Sequence, residues 1–233
     1  MKNRLIVLFI VMLFSIGNAG AQVKFGIEAG GNFSHYLGGT ATTAKQSGKM
    51  KAGFQVGVTA DYTLKNNLML ISGISFLQTN STMKLADHMN FLFPKTDIRL
   101  NNLILPLKIG YNLHLGDKVS LVPSIGVYGG YAFSAGKCDL NITYPKDNGA
   151  EIKTVQWKPM DGYSYEIPNV KPSGYVAQTD KFSHWDYGAI AGVKLIGLDH
   201  YTLSFDYTVG IKEVKKDNKL RNSTFQLSVG YRF

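Results

Sequence analysis

Two histidines and the serines beside them are the residues whose types could carry out nucleophilic chemistry. Ser34 precedes His35, and Ser183 precedes His184. A serine becomes a nucleophile when a histidine within hydrogen-bond distance takes its proton. Adjacent residues of an extended chain point to opposite faces, so neither pair is positioned for that transfer. We therefore predict no catalytic residues here.

The single cysteine, Cys138, limits metal and redox chemistry. A disulfide, or a multi-cysteine zinc or iron–sulfur site, needs at least two sulfur atoms. The sequence also lacks the GxSxG, HExxH, GxGxxG and P-loop patterns. We therefore predict neither a metal site nor a cofactor.

A set of charged residues alternates with apolar residues in several segments and could form an ionic network. Buried charges have to be paired or hydrogen-bonded, and the acids and bases of this set are nearly balanced. We interpret them as a packed structural core, with a proton or ion path or an acid/base pair as the alternative. The set consists of Glu28, Asp61, Asp186 and Asp206 with Lys108, Lys194 and Arg232.

The N-terminus predicts export from the cytoplasm. Residues 1–4 include the basic Lys2 and Arg4, residues 5–16 form an apolar run, and Ala19-Gly20-Ala21 resembles a cleavage site. The apolar run is shorter than the roughly 20 residues of a membrane-spanning helix. We therefore predict a cleaved signal peptide over 1–21 and one domain over 22–233. For an exported protein, the formal net charge of +9 does not indicate nucleic acid as a partner.

Beyond the N-terminus, apolar and polar residues alternate with a period of two, which is typical of β-strands with one apolar face. Eight strands of this kind predict an all-β, antiparallel, up-and-down barrel. The segments are 24–33, 54–62, 68–80, 102–114, 119–134, 185–195, 201–211 and 224–233.

The connections between these segments alternate in length. Short turns on one rim and long loops on the other are typical of a transmembrane barrel of the outer membrane. Residues 151–157 and 163–170 look partly extended and could add a hairpin to the third loop. The predicted turns are 65–67, 116–118 and 197–200, and the predicted outer loops are about 34–50, 80–99, 135–181 and 212–221.

The positions of the glycines decide between a lipid-facing apolar face and a ligand-binding cup. Eleven of them fall on the polar face, including Gly30, Gly126 and Gly192. The interior of an eight-stranded barrel is only just wide enough for side chains, so small residues are needed there. We therefore place the polar face inside and the apolar face against lipid.

Four stretches resemble a known family, the Bacteroidetes-type outer-membrane β-barrels, which are PorT-like and similar in architecture to OmpX and the membrane domain of OmpA. They are Phe25 to Asn32, Leu103 to Tyr111, Trp185 to Val193 and Arg221 to Phe233. The resemblance implies a location in the outer membrane of a Gram-negative bacterium. It also implies that the barrel-assembly machinery reads the terminal aromatic residues Tyr231 and Phe233.

Three classes of function fit these features. The first is a small, non-conducting barrel with a structural or surface-interaction role, whose outer loops bind an unknown partner. A pore, transporter or secretion-associated PorT-like component is the alternative, although eight strands leave no open lumen. A barrel enzyme that acts on lipid is the second alternative.

The loops that flank the first and last strands are basic. If the last strand closes on the first, these loops become neighbours and form a positive patch facing outer-membrane lipid and lipopolysaccharide. We expect this patch to bind anionic glycolipid, and the alternative is that the lysines only solvate two loops. The patch consists of Lys45, Lys49, Lys212, Lys215, Lys216, Lys219 and Arg221.

Overall fold

The structure, a computed structural model, describes most of the chain after the N-terminal segment. The predicted signal peptide lies outside the described residues, so its cleavage stays a prediction. The described ranges are 23–38, 50–84, 95–136, 138–146, 149–157, 160–161, 163–166, 176–179, 182–214 and 220–233.

Strands make up nearly all of the described chain. No helix in these ranges is long and apolar enough to cross a membrane. The strands are β1 (Val23–Leu37), β2 (Met50–Thr63), β3 (Leu68–Lys84), β4 (Lys95–Tyr111), β5 (Leu113–His114), β6 (Val119–Ala135), β7 (Cys138–Lys146), β8 (Gly149–Trp157), β9 (Tyr163–Glu166), β10 (Val176–Thr179), β11 (Trp185–Gly197), β12 (Tyr201–Gly210) and β13 (Arg221–Arg232).

Eight of these strands close into an antiparallel barrel, as the sequence predicts. The order around the wall is β1, β2, β3, β4, β6, β11, β12 and β13. The last strand pairs with the first, with Ala29 opposite Val229. The two-residue β5 extends the pairing of β6. Closure leaves no long unpaired edge in this wall.

Short turns at one end of the barrel contain residues in the left-handed backbone conformation. Asn66 and Asn67 join β2 to β3 with positive φ angles of 61° and 62°. Asparagine tolerates this left-handed conformation better than most residues. Leu198 and Asp199 adopt the same conformation between β11 and β12. These turns and both ends of the barrel chain lie on one rim, which we call the turn end.

The two faces of each wall strand differ in character. Phe25, Ile27 and Phe33 are exposed on the outside of β1, whereas Asn32 is buried inside. On the inner face of β6, Gly126 lies so close to the neighbouring strand that an added Cβ atom would overlap the carbonyl oxygen of Leu107. The apolar face therefore points outward and the polar face lies inside.

Two predicted loops are shorter than the sequence analysis gives, and their bounds 34–50 and 80–99 are wrong. Strand β1 continues to Leu37, β3 ends at Lys84 and β4 begins at Lys95. The ladder persists there, with His35 opposite Ser223. Polar residues lie on both faces in these upper parts, so backbone pairing continues without an apolar alternation.

The predicted loop 135–181 is not a single loop, because it contains two hairpins. Strand β7 pairs with β8, with Tyr144 opposite Glu151. Strand β9 pairs with β10, with Tyr163 opposite Thr179. The predicted extended segment 151–157 therefore pairs with the chain before it. Of the predicted segment 163–170, residues 163–166 form β9 and the rest lie outside the described residues.

Candidate functional site

A buried carboxylate on β2 organises the centre of the barrel. Lys194 Nζ donates hydrogen bonds to both carboxylate oxygens of Asp61, at 2.8 and 3.0 Å. The guanidinium of Arg232 lies 3.8 Å from the same carboxylate. Asp61 is only 1% exposed. Two cations therefore compensate one fully buried anion.

A second ion pair lies beside a small internal cavity. Lys108 Nζ donates to Asp206 Oδ1 at 2.6 Å. Glu28 lines the same cavity and accepts a long hydrogen bond of 3.5 Å from the Ser75 hydroxyl. The cavity has a volume of about 30 Å³. That volume suits one or two ordered water molecules.

The structure brings six of the seven proposed network residues together and leaves one apart. Glu28, Asp61, Lys108, Lys194, Asp206 and Arg232 form the layer just described, which we call the ionic layer. Asp186 instead accepts hydrogen bonds from the Tyr128 hydroxyl at 3.1 Å and the Asn222 amide at 2.8 Å. Its two partners are therefore uncharged donors nearer the loop end, and it makes no ion pair with the bases of the ionic layer.

An apolar layer lies inside the barrel at the turn end. Met69, Ile71, Val122 and Ile196 form one buried cluster, and Met69 and Val122 are 0% exposed. All four side chains point inward. Sequence reasoning missed this layer because these residues occupy the face that is otherwise polar. The sequence did contain a signal for this layer, namely apolar residues on the otherwise polar face near the ends of the strands.

Apolar side chains also cover the interior at the loop end. Phe182 packs on the inward-facing Tyr36, with their ring centroids 5.9 Å apart. Val214 and Leu220 are buried as well. Their segments are joined by hydrogen bonds from Ser183 N to Val214 O and from Val214 N to Leu220 O. The ionic layer thus lies between apolar groups at both ends.

The serines next to histidines are engaged elsewhere. The Ser34 hydroxyl donates to Asn32 Oδ1 at 3.1 Å, and the Ser183 hydroxyl donates to Trp185 O at 2.9 Å. His184 Nδ1 lies 2.8 Å from Ala132 O. In the ranges that the structure describes, no three His, Cys, Asp or Glu side chains are grouped to hold a metal ion.

The match to a family model decides the identity of the barrel. The model for the outer membrane protein beta-barrel domain matches residues 6–233. The chain belongs to this family. The protein is therefore an outer-membrane β-barrel and is located in the outer membrane of a Gram-negative bacterium.

A search of solved structures found several that are similar to this chain. Ail of Yersinia pestis, solved with the heparin analogue sucrose octasulfate, is 15% identical, with 91% of this chain and 99% of that chain covered and a TM-score of 0.44. Neisserial surface protein A is 14% identical, with coverages of 92% and 100% and a TM-score of 0.43. OprG from Pseudomonas aeruginosa is 12% identical, with coverages of 91% and 96% and a TM-score of 0.44. Among curated proteins, nothing matches.

The structure describes two of the seven residues of the predicted basic patch of this outer-membrane barrel. Lys45, Lys49, Lys215, Lys216 and Lys219 lie outside the described residues. Arg221 is exposed and pairs with Leu37 at the junction of β13 and β1. The ammonium group of Lys212 lies 6.0 Å from the centre of the Tyr187 ring, on a different part of the rim.

The aromatic C-terminus lies on the lipid-facing side of the turn end. The rings of Tyr231 and Phe233 are 5.4 Å apart, and His200 stacks on Tyr231 at the same distance. Phe233 is exposed. Both rings are thus presented on the outside of the barrel. Their reading by the assembly machinery stays a prediction.

Proposed function

We propose that this protein is a small, non-conducting outer-membrane barrel whose outer end serves in surface interaction. One observation carries the proposal, namely the difference in construction between the two rims. Strands β3, β4 and β6 each have 17 residues, whereas about 9–11 suffice to cross the hydrocarbon. The excess extends the wall at the loop end, where two further hairpins lie between β6 and β11.

A surface-crosslinking experiment tests this role. Residues 138–179 are replaced by a short Gly/Ser linker, and intact cells carrying either form are treated with a membrane-impermeant crosslinker before affinity capture. We expect the wild type to capture a partner that the shortened form does not. Identical captures from both folded forms would contradict a role for the hairpins.

The filled interior supports the non-conducting part of the proposal against the alternative of a pore or transporter. The ionic layer and the apolar groups at both ends occupy the lumen. In planar bilayers we expect the purified barrel to give no stable single-channel steps. Reproducible steps that disappear after boiling the protein would favour the pore.

The two remaining alternative functions have less support. A secretion-associated, PorT-like role is supported by the sequence resemblance alone, and a lipid-acting enzyme by the outer-end histidines alone. A deletion strain separates them, because the first predicts altered secreted proteins and the second altered outer-membrane lipids. We expect neither change.

The predicted signal peptide and the aromatic C-terminus lead to expectations about export and assembly. We expect the mature protein to begin at Gln22 and to migrate differently on gels before and after boiling, as closed barrels do. Removal of the Phe233 ring by substitution with Ala should slow assembly while the export signal stays intact. Intact-mass spectrometry, gels run before and after boiling, and pulse-chase labelling measure these three outcomes.

We also propose that the basic loops at the junction of β13 and β1 hold anionic glycolipid. The support is the composition of these loops, because Lys215, Lys216 and Lys219 are close together in the sequence, and positive charges attract phosphate groups over about one Debye length, roughly 8 Å. Changing Lys215, Lys216 and Lys219 to Gln should reduce co-purification of glycolipid in a salt-dependent way. Unchanged co-purification at low salt would mean that these lysines only solvate the loops.

A further inference from the structure

Three polar side chains meet on the outside of the barrel at the junction of β12, β13 and β1. Ser223 of β13 lies opposite His35 of β1. The Ser223 hydroxyl donates a hydrogen bond to the Tyr207 hydroxyl of β12 at 2.9 Å. Ser223 is 0% exposed although it faces outward, so its larger neighbours enclose it. We call His35, Tyr207 and Ser223 the seam trio.

One nitrogen of the trio has no partner. Nδ1 of His35 is buried and makes no hydrogen bond with any residue that the structure describes. A buried polar atom without a partner costs free energy comparable to a lost hydrogen bond. The His35 ring can therefore turn toward a ligand without breaking a hydrogen bond at Nδ1. The Tyr207 hydroxyl accepts from Ser223 and keeps its own hydrogen available to donate.

A second outward polar group on the opposite side of the barrel provides a comparison. Gln78 Nε2 donates to Asn101 Oδ1 at 3.2 Å, and Asn101 Nδ2 donates to Ser134 Oγ at 2.8 Å. These three residues lie at a similar height on β3, β4 and β6, and they are bonded to one another in series. Outward polar side chains can thus have all their partners among neighbouring strands. The seam trio differs, because Nδ1 of His35 has no such partner in the described part of the chain.

The position of the seam trio along the barrel wall indicates which part of a lipid it can contact. The outward residues next to it on the membrane side are Phe33, which is 53% exposed, and Phe225. The next outward pair toward the loop end is Leu37 and the exposed Arg221. The trio therefore lies at the outer edge of the apolar belt, one outward position below the charged Arg221. This is the depth of lipid headgroups in the outer leaflet.

We propose that the seam trio and Arg221 bind a phosphate group of an outer-leaflet glycolipid. An imidazole, a phenol hydroxyl and a guanidinium are donors suited to phosphate oxygens, and Arg pairs with phosphate through two parallel hydrogen bonds. This inference rests on the proposed glycolipid role of the same junction. It adds a defined headgroup site on the strands to the diffuse attraction by the loops.

The test compares matched variants of the full-length barrel in detergent. The seam variant carries His35→Phe and Tyr207→Phe, and the control carries Gln78→Leu and Ser134→Ala. Purified lipopolysaccharide and its dephosphorylated form are titrated against each protein, with inorganic phosphate as competitor. Gel migration before and after boiling shows that each variant is folded. Arg221→Gln, at an exposed position, is a second seam variant that keeps the trio intact.

We expect the seam variant, which removes two donors, to bind lipopolysaccharide at least about tenfold more weakly, because a single lost hydrogen bond to a charged group corresponds to about that factor. The control should bind as the wild type does, and removal of the phosphates should abolish the difference between the two. Arg221→Gln should weaken binding as well. Seam variants that bind like the wild type would overturn the inference.

The loop variant Lys215→Gln, Lys216→Gln, Lys219→Gln separates the two proposals. If it weakens binding and the seam variants do not, the loops hold glycolipid and the strand site is wrong. If neither changes binding, both proposals fall. Complete competition by millimolar inorganic phosphate would identify a free-phosphate site and overturn the choice of a lipid.

Discussion

The ionic layer and the apolar layer fill the same barrel by opposite means. In the ionic layer, Lys194 reaches Asp61 with two directed hydrogen bonds, and each group depends on its partner. In the apolar layer, Met69 and Val122 pack without direction, and each loses only its own contacts if replaced. The difference lies in what a single substitution leaves behind. One layer is left with an unpaired charge, the other with a void.

This difference separates the contribution of an interaction from the cost of breaking it. A buried ion pair contributes little net stability, because desolvation offsets the attraction. Loss of one partner is costly because the remaining charge stays buried. Buried apolar groups contribute in proportion to the area removed from water. The barrel should therefore keep its stability when all charged partners of an ion pair are replaced together, and lose stability when only one of them is replaced.

Lys194→Met is expected to have the largest effect. It leaves Asp61 with only Arg232 at 3.8 Å, and the expected loss in the free energy of unfolding is about 3–5 kcal/mol. Urea unfolding of the barrel in lipid vesicles, followed by tryptophan fluorescence, measures it. The triple variant Lys194→Met, Asp61→Leu, Arg232→Met leaves no charge of this group unpaired and should recover most of the loss. A triple variant as unstable as the single one would show that packing, and not charge, explains the cost.

Met69→Ala comes next and tests the apolar layer. The side chain is fully buried, and its truncation should cost about 2–5 kcal/mol through lost burial and the cavity left behind. The same unfolding assay applies. Met69→Leu, which keeps the volume, should lose less than about 1.5 kcal/mol. Similar losses for both substitutions would argue against close packing at the turn end.

The wall of the barrel could be predicted from sequence because its signal is local. In β13, Leu227, Val229 and Tyr231 alternate with Ser228 and Gly230, and each residue reveals its own face. The ends of β1, β3 and β4 could not be found in this way. Their outer parts have polar residues on both faces, so only the partner strand shows that pairing continues.

The pairing within the interior depends on closure and is therefore not local. Lys194 and Asp61 are 133 positions apart, and no spacing in the sequence relates them. Asp186 has the same alternation as Asp206 yet joins Tyr128 and Asn222. The seam trio also arises only when β13 meets β1. Alternation identifies which residues face inward, and the register decides which of them meet.

Arg232→Met should cost less than the loss of Lys194, although both cations serve the same carboxylate. Its guanidinium is 3.8 Å from Asp61, and Lys194 remains bonded when Arg232 is removed. We expect a loss of about 1 kcal/mol, in the range of one ordinary hydrogen bond. In the Lys194→Met background the same change should cost more, because Asp61 would then have no cation. Additive losses in this double-mutant cycle would contradict a shared site.

Val229→Ala should have the smallest effect, and it tests the assignment of faces on which the comparison of layers depends. Val229 is 62% exposed on the outside of β13, where lipid can fill the space left by the missing methyl groups. Because no cavity forms, only the transfer preference of the side chain for lipid is lost, about 0.5 kcal/mol. The inward Val122→Ala is the matched control, since the same methyl groups leave a void in the closed apolar layer. We expect the inward change to cost at least about twice the outward one. Equal losses would mean that Val229 is packed against protein and that the outer face is not in contact with lipid at this position.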